Sequence, residues 1–257
     1  MYPPMEKSPR LTATSGLHHG FFGRQGGVSD GDFASLNTAV AVGDDRANTE
    51  ENIRRAVMAL KSGPVPVALI KQVHGTTVHV ATEATIPGER PEADAVVTDR
   101  SGLAVGVVTA DCAPILLADP VAGVVAAAHA GWRGALGGVL ENTVAAMAEL
   151  GATPGNIIGA IGPTISARHY EVGDDFVAML ERDHPEALCC LVSITGETHP
   201  HFDLAGLVLH RAEALGLAPL EVVGDCTYAH PDRYFSHRFA THRNSRTGRQ
   251  ISLIVKS

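Results

Sequence analysis

The chain has 257 residues, of which 45% are hydrophobic and 19% charged. This profile is typical of a compact soluble protein and excludes a mainly disordered chain. Lys and Arg number 20 against 28 Asp and Glu, so the net charge is −8 and no bulk positive field attracts a nucleic acid. The longest charge-free apolar run, residues 120–132, is far shorter than the ~20 residues that a membrane helix needs.

The cysteine and histidine contents indicate a compartment and a chemistry. The start of the chain has no apolar segment like that of a signal peptide, so we expect a cytoplasmic protein. Cys112, Cys189, Cys190 and Cys226 are too few and too unevenly spaced for a disulfide framework, which predicts reduced thiols. Histidine is over-represented, with 13 residues against 4 Tyr and 1 Trp. That surplus directs attention to metal or acid–base chemistry.

The chain contains no internal repeat, which predicts a single domain over residues 1–257 with a flexible N-terminal segment at 1–15. Long loops are expected at 16–31 and 228–249. A capping-box pattern at residues 48–51 predicts a helix that ends before Gly63. Apolar spacing predicts further helices over 135–150 and 174–182, and over 204–215 after an N-cap at Asp203.

Runs of β-branched and apolar residues predict eight strands. Four of them lie between residues 93 and 128 with short connections, so they must pair as antiparallel or mixed neighbours, because a parallel crossover needs a dozen or more residues. The expected fold is therefore α+β, a single-domain α/β sandwich with mixed sheets, and not a regular βαβ fold. The predicted strands are 65–70, 78–81, 95–98, 103–108, 115–118, 124–128, 157–161 and 252–255.

Three short motifs place His74, Cys112 and His129 where a predicted strand gives way to a loop. From such positions separate strands can direct side chains to one point. Two imidazoles and one thiolate suit Zn²⁺, and three protein ligands leave a fourth position open, as in catalytic zinc sites. The spacings are not those of a zinc finger, so the residues alone leave open a structural alternative, in which these side chains are buried packing groups.

Further motifs run along the chain from about His19 to Ile254. With the three strand-end motifs, they identify a sequence that resembles the YfiH-like family, labelled laccase-domain or polyphenol oxidase and associated with purine nucleoside phosphorylase activity. The additional motifs are FGRQGGVSDG (22–31), SLN (35–37), GDD (43–45), ADA (93–95), IGP (161–163) and YEV (170–172).

The resemblance implies a cytoplasmic zinc enzyme that phosphorolyses adenosine, inosine and methylthioadenosine, with some adenosine deamination. The family's metal ligands match His74, Cys112 and His129, and the expected ion is Zn²⁺ rather than Cu²⁺. Two positions depart from the family pattern, because Thr164 and Ala229 stand where many members have cysteine. Neither position belongs to the expected ligand set.

Candidate catalytic residues surround these ligands. Arg24, in a glycine-rich loop, and Arg133, in the segment after His129, can each present a fork of donors to phosphate; the alternative is a solvated or ion-paired arginine. The glycines around residue 132 would let helix N-terminal amides face the same anion. Asp111, beside Cys112, is a candidate proton acceptor or partner of a ligand, and equally a residue that caps a turn.

Four residues are candidates for binding the nucleoside. Asn37 is expected to hydrogen-bond the base or ribose, or else to be a turn residue, and His19 to approach the site through its glycine-rich loop. Phe235 can stack on a purine, although core packing is the stronger expectation. Arg238 can order the loop expected at 228–249. The His199-Pro-His201 pair is predicted to lie in a surface loop.

Phosphorolysis with purine nucleoside and phosphate as partners is the leading functional hypothesis. One alternative is a cysteine hydrolase with Cys112 as nucleophile and His129 as base. A second alternative, from the resemblance, is editing of cell-wall precursors. A copper-dependent polyphenol oxidase ranks last, because the chain has one His-x-His pair. No nucleic-acid or membrane partner is expected, and the protein is expected to be a monomer or a small homo-oligomer.

Overall fold

The computed structural model describes residues 2–61 and 63–257, which form thirteen strands and seven α-helices. The strands are β1 (Met5–Glu6), β2 (Leu17–Phe22), β3 (Val67–Leu69), β4 (Val78–Val80), β5 (Ala95–Thr98), β6 (Ala104–Thr109), β7 (Ala113–Asp119), β8 (Val124–Ala130), β9 (Ile158–Ile161), β10 (Leu191–Val192), β11 (His201–Phe202), β12 (Glu221–Val222) and β13 (Gln250–Lys256). The helices are α1 (Pro9–Ala13), α2 (Arg46–Lys61), α3 (Trp132–Gly137), α4 (Val139–Glu149), α5 (Asp174–Asp183), α6 (Leu204–Ala214) and α7 (His237–His242).

Two mixed sheets form the centre of the molecule. The first sheet has the order β1-β2-β13-β6-β3, in which β13 is antiparallel to β2 and β6 while β3 is parallel to β6. The second has the order β12-β9-β7-β8-β5-β4, with an antiparallel centre and a parallel strand at each edge. The prediction of a single-domain α/β sandwich with mixed sheets is confirmed.

Alternating side chains on the strands divide the core into layers. Along β13, Ile254 points between the two sheets, whereas Leu253 and Val255 point outward and pack with α2. This alternation is the period of two that a strand imposes on its side chains. The outer face of the second sheet packs against α4 and α6. The layers therefore run α2, first sheet, second sheet, then the remaining large helices.

The predicted helix over 135–150 is divided in two. Gly138, at φ 98°, ends α3 and begins α4, and the helix starts earlier than expected, at Trp132. Such a left-handed conformation is one that glycine adopts without steric cost. The helices predicted at 174–182 and 204–215 are confirmed, the latter with Asp203 Oδ1 accepting from the Gly206 N–H at 2.9 Å.

Strand pairing differs from the expectation for residues 93–128. β5, β7 and β8 pair antiparallel within the second sheet, but β6 crosses to the first sheet and pairs with β13 and β3. The partner of β6 is the C-terminal strand β13. The length of the connections between residues 93 and 128 does not predict pairing with a strand so far along the chain. Three of the four strands are therefore neighbours within one sheet, and β6 lies across the sandwich from them.

Several expected loops contain regular structure. The loop predicted at 16–31 holds β2, and the tail at 228–249 holds α7. Within 1–15, the described residues form β1 and α1, and Leu11 is fully buried. The prediction that His199-Pro-His201 is a surface loop is wrong for His201, which is buried in β11. In the part of the chain that the structure describes, no helix is long and apolar enough to cross a membrane.

Candidate metal centre and its cavity

His74, Cys112 and His129 converge from three segments. His74 lies in the loop after β3, Cys112 in the turn between β6 and β7, and His129 near the end of β8. One ligand atom from each lies within 4.8 Å of the other two, and Cys112 Sγ is 3.9 Å from His74 Nε2. The two imidazole rings meet edge to face with centroids 4.8 Å apart. The structure thus brings together the three ligands expected from the sequence.

Two neighbours hold His74 in position. Gln72 exchanges two hydrogen bonds of 2.8 Å with the backbone of Val108, which fastens the His74 loop to β6. His74 itself has φ 60°, a conformation that is unusual for a residue with a side chain. The buried Asp94 carboxylate accepts from the backbone N–H groups of residues 73, 74 and 75. These bonds offset the conformational cost at His74.

Asp94 also fixes the other histidine. Its Oδ1 lies 2.8 Å from His129 Nδ1, and both side chains are buried. Because a carboxylate only accepts, Nδ1 carries a proton, and Nε2 on the other side of the ring is the nitrogen that could bind a metal. A histidine oriented by a carboxylate in this way is the usual arrangement behind a metal ligand. Burial acts to raise the pKa of Asp94, but bonds from His129 and the Gly75 N–H hold that pKa below its ordinary value.

The Cys112 turn is held in a second strained conformation. Asp111 has φ 84°, and its carbonyl accepts from Thr164 Oγ1 and from the Ile165 N–H. Its carboxylate accepts from Thr227 Oγ1 and from the Arg238 N–H, each at 2.6 Å. Asp111 therefore positions the cysteine turn. Thr164, one of the two departures from the family pattern, contributes to the same support.

Close backbone approach completes the centre. A Cβ on Gly131 would lie 3.0 Å from the His74 ring and 3.1 Å from Cys112 Sγ, so a side chain at this position would crowd the ligands. The glycine is the N-cap of α3, directly after β8. The AHAGWRG motif at 128–134 thus supplies a ligand and then leaves room for it.

Cys112 and His129 are electrostatically coupled. Burial acts to raise the pKa of the thiol, but the charge of His129 and hydrogen bonds from both histidines outweigh it and lower that pKa. Burial acts to lower the pKa of His129, and the thiolate together with Asp94 raises it instead. The centre therefore favours a thiolate, which is the form that binds metals and attacks electrophiles.

The centre opens into a cavity of about 760 Å³. The cavity lies at the edge of the first sheet where β6 ends and β13 begins. The loop after β3, the segment before α2 and the start of α2 also line it. Several cationic side chains lie around it, together with apolar groups from residues 39–42. The charged and polar residues of the lining include Lys71, Arg90, Arg46, Thr49, His237 and Arg249, together with the acidic Glu50.

Arg24 and Phe235 are not among the described residues that line this cavity. Arg24 donates from Nε to Ala34 O and from Nη1 to Pro231 O, both at 2.7 Å, and its guanidinium lies 4.7 Å above the Phe235 ring. Phe235 is fully buried. Both residues join loops in the structure. Backbone carbonyls accept from the Arg24 N–H groups that could bind phosphate, and the Arg24 guanidinium lies over the Phe235 ring on which a purine would stack.

Asn37 and His19 are also held away from the cavity lining. Asn37 is fully buried and accepts through Oδ1 from the Arg249 N–H at 2.8 Å, so it positions a residue of the cavity lining. His19 lies in β2, where its Nε2 accepts from the Ser8 N–H at 2.8 Å. Burial and the charge of Lys7 lower the pKa of His19 to about 4.

The pKa of His19 predicts a pH dependence of folding. Because the native pKa is about 4 against an ordinary value of 6.5, only the unfolded chain binds this proton between those values, and stability falls as the pH drops through that window. We expect His19→Gln, whose amide oxygen can accept from Ser8, to remove up to about 3 kcal/mol of that loss. Urea unfolding at a series of pH values measures it, with exposed His210→Gln as control. An unchanged slope in His19→Gln would contradict this role.

Arg133 and Arg238 lie on the side of the centre where Tyr170 lies. The Arg133 guanidinium is 4.2 Å from the Trp132 ring, and that of Arg238 is 5.4 Å from the Tyr170 ring. Burial and the nearby Cys112 charge raise the pKa of Tyr170, so its phenol stays protonated as a donor. Neither arginine is among the described residues that line the cavity.

Sequence reasoning missed four functional candidates. Asp94 lies within the ADA motif and Arg249 at the end of the loop expected at 228–249, but the sequence indicates no role for either. Lys71 and Arg90 stood in no motif. Signals existed for two of them, because Asp94 lies at the start of a buried strand and Arg249 directly precedes β13, positions where a charged group needs a partner.

Comparison with known proteins places this geometry in a family. Residues 18–257 match the family model described as multi-copper polyphenol oxidoreductase laccase. The solved structure of a Neisseria meningitidis protein superposes with a TM-score of 0.85 at 36% identity over 100% of both chains. YlmD from Geobacillus stearothermophilus superposes at 0.86 with 29% identity, covering 100% of this chain and 97% of that one. The chain belongs to this laccase-like YfiH family.

Curated relatives give the family an enzymatic name. A protein of Streptomyces coelicolor, 41% identical over 235 residues that cover 91% of this chain and 93% of the relative, is named purine nucleoside phosphorylase. A Deinococcus radiodurans protein with the same name is 38% identical over 255 residues, covering 98% and 92%. The name of these relatives indicates phosphorolysis, whereas the description of the family model indicates copper oxidation. The residues of the site are the evidence that distinguishes the two chemistries.

Proposed function

We propose that this protein is a zinc-dependent purine nucleoside phosphorylase that acts on adenosine, inosine and methylthioadenosine and also deaminates adenosine. One observation carries the proposal: three metal-ligating side chains converge at the wall of a cavity of about 760 Å³ that is also lined by arginines. That volume is in the range of small-molecule pockets, about 300–1,000 Å³. The name of the curated relatives adds support.

The donor set fits Zn²⁺. Imidazole nitrogen and thiolate sulfur are preferred zinc ligands, and three of them from the protein leave a position for substrate or solvent. His74, Cys112 and His129 would hold the ion, which would supply a positive charge that stabilises developing negative charge. Copper oxidation needs several copper ions in histidine-rich sites. The Nε2 of His19 is bonded to the Ser8 N–H, and His201 is not among the described residues that line the cavity, so neither supports such a cluster at this centre.

Asp94 is the positioning residue of the centre, and its removal should weaken metal binding. We expect Asp94→Asn to lower Zn²⁺ affinity by about 10–100-fold, because the amide nitrogen cannot accept from His129 or from the 73–75 backbone. Competition with a chromophoric chelator measures the affinity. Asp119→Asn is the matched control, since Asp119 is likewise buried and accepts from backbone N–H groups, of Val121, Ala122 and Thr153. Equal affinities in the two variants would refute the positioning role.

Arg249 is the best candidate to bind phosphate. Its Nη1 donates to the carbonyls of Thr247 and Gly248, which fixes the guanidinium and leaves other N–H donors for an anion. Burial lowers the pKa of Arg249, while the charges of Cys112 and Asp111 act to raise it, so this cation is electrostatically coupled to the metal centre. Arg90 adds positive charge along the same wall, whereas Lys71, which also lines it, is paired with Glu92 at 2.7 Å. A fixed fork of donors matches two phosphate oxygens.

Phosphorolysis then requires positioning and one proton. The glycosidic bond between C1′ and the purine nitrogen breaks, a phosphate oxygen bonds to C1′, and the base leaves with a proton on its ring. The products are the free purine and pentose 1-phosphate. Hydrogenphosphate supplies that proton in the overall reaction. His237 lines the cavity, and burial and the charge of Arg249 lower its pKa, so its neutral imidazole can donate an N–H hydrogen bond to the departing base.

Deamination would use the same cavity with water in place of phosphate. Water adds at the ring carbon that bears the exocyclic amine of adenosine, the amine leaves as ammonia, and the product is inosine. Zinc deaminases carry a similar His/Cys ligand set, which supports assigning both reactions to one centre. The expected cytoplasmic location and a monomeric or small homo-oligomeric state stay predictions.

A cysteine hydrolase is the second candidate, and the Cys112–His129–Asp94 series supports it. A thiolate, an imidazole and a buried carboxylate that orients the ring form the arrangement of a nucleophile with its base. Against it, His74 Nε2 lies 3.9 Å from the same sulfur, and a hydrolase needs only one imidazole there. A hydrolase is also the form in which an editing role on cell-wall precursors would operate.

The test is metal content combined with a nucleoside panel. We expect one Zn²⁺ bound at the His74–Cys112–His129 centre, and release of base from adenosine, inosine and methylthioadenosine that depends on added phosphate. Pyrimidine nucleosides serve as the control for base selectivity. A protein that binds no metal at this centre and cleaves no purine nucleoside would refute the proposal.

A further inference from the structure

A second group of metal-ligating side chains lies apart from the cavity. Glu171, Glu197 and His201 each place one ligand atom within 4.8 Å of the other two. His201 is 3% exposed, whereas both glutamates are exposed. None of the three is among the described residues that line the cavity, so the group is separate from the centre described above.

His201 has a buried nitrogen with no hydrogen-bond partner. Its Nδ1 lies 2.8 Å from Ala167 O, and because a carbonyl only accepts, Nδ1 carries the proton of the neutral ring. Nε2 is then an electron-pair donor, and it is buried without a partner among the described residues. Leaving a buried polar atom unpaired is unfavourable, and a metal ion that accepts its electron pair would satisfy it.

The backbone places Glu171 and His201 side by side. The two residues form an antiparallel bridge, flanked by bonds of 2.9 Å from the Val172 N–H to Pro200 O and from the Phe202 N–H to Tyr170 O. Residues opposite each other in an antiparallel pair project their side chains from the same face. The carboxylate of Glu171 is therefore a neighbour of the His201 ring by construction of the fold.

Glu197 completes the group from a turn. Its N–H donates to Ile194 O at 3.0 Å, which forms the turn that precedes His201. The carboxylates bring negative charge next to a neutral nitrogen donor, the composition that a divalent cation needs. The ligand atoms lie within 4.8 Å of one another. Because both glutamates are exposed, they can change rotamer and bring a carboxylate oxygen to an ion that is bound at His201 Nε2.

We propose that Glu171, Glu197 and His201 form a second metal site, which binds a divalent first-row transition ion such as Zn²⁺. One imidazole nitrogen and two carboxylate oxygens are zinc ligands, and they leave a fourth position for water. Ca²⁺ and Mg²⁺ prefer ligand sets made entirely of oxygen, so the imidazole disfavours them. The bound ion would join the turn at Glu197 to the β-bridge of Glu171.

The experiment is equilibrium dialysis of the full-length protein against buffered free Zn²⁺, followed by metal analysis. We expect two equivalents bound to the unmodified protein and one to Glu197→Gln, to Glu171→Gln and to His201→Gln. Glu213→Gln, a substitution at an exposed glutamate on α6, is the matched control and should retain two. Cys112→Ala should keep the equivalent held by His201, and the Cys112→Ala/Glu197→Gln variant should bind none.

Spectroscopy separates the two sites. With Co²⁺ as the probe, the ion bound to Cys112 should show a thiolate-to-metal charge-transfer band, and the second equivalent should bind without adding to that band. Glu197 is exposed, so its substitution tests the site even where His201→Gln disturbs folding. A single equivalent in the unmodified protein that is lost in Cys112→Ala, or a second equivalent that persists in both Glu197→Gln and Glu171→Gln, would overturn the proposal.

Discussion

Cys112→Ala should lose the metal of the His74–Cys112–His129 centre and, with it, phosphorolysis by about a thousandfold, the rate equivalent of roughly 4 kcal/mol of transition-state stabilisation. The sulfur supplies one of three ligands, and the remaining imidazoles cannot offer its charge. Metal analysis and base release from inosine measure the two losses. Cys189→Ala is the control, because Cys189 is an exposed thiol outside the described cavity lining.

The same cysteine distinguishes the two candidate enzymes. In a metal centre the thiolate is shielded, so alkylation of Cys112 should be slow in the loaded protein and faster after chelation. In a hydrolase, Cys112 would be alkylated rapidly, and at the same rate with and without a chelator. A Cys112→Ala variant that retains the metal of this centre but loses activity would favour the hydrolase.

Arg249→Ala should raise the KM for phosphate by about 10–100-fold, since a charge-assisted contact contributes about 1.5–3 kcal/mol. The KM for the nucleoside should change much less, because the anion and not the base is lost. Arg249→Lys keeps the positive charge but not the paired donors of the guanidinium. Its KM for phosphate should lie between those of the unmodified protein and Arg249→Ala. Initial rates at varied phosphate measure the effect.

Arg24→Ala and Arg133→Ala are the matched comparisons for Arg249. The sequence favours these two arginines as phosphate ligands, but Arg24 bonds to Ala34 O and Pro231 O, and Arg133 lies against Trp132. We therefore expect Arg24→Ala to lower the Tm with an unchanged KM for phosphate, and Arg133→Ala to change neither strongly. A phosphate KM raised by Arg24→Ala and unaffected by Arg249→Ala would reverse the assignment.

The sequence predicted the parts of the centre that local pattern determines. Motifs at three strand ends identified His74, Cys112 and His129, and the structure brings them within 4.8 Å. Strand positions such as β5 followed from runs of β-branched residues. These features depend on a few adjacent residues, which is why they can be read without the fold.

Features that depend on long-range pairing could not be predicted. β6 joins the first sheet because β13, at the far end of the chain, lies beside it. Arg249 lines the cavity because it directly precedes the same strand. Asp94 bonds to the backbone of His74 and to the ring of His129, which lie 20 and 35 residues away in the sequence. His201 is buried because the Glu171 segment pairs with it, although its Pro-containing context is typical of a turn.

The most direct test of the central claim identifies the product of the reaction. Inosine and phosphate are incubated with the zinc-loaded protein, and ³¹P NMR follows the phosphate while chromatography follows the base. We predict pentose 1-phosphate formed in equal amount with hypoxanthine, and neither product with Cys112→Ala. Free ribose with unchanged inorganic phosphate, or an inosine solution left intact by the zinc-loaded protein, would contradict the assignment of phosphorolysis to this centre.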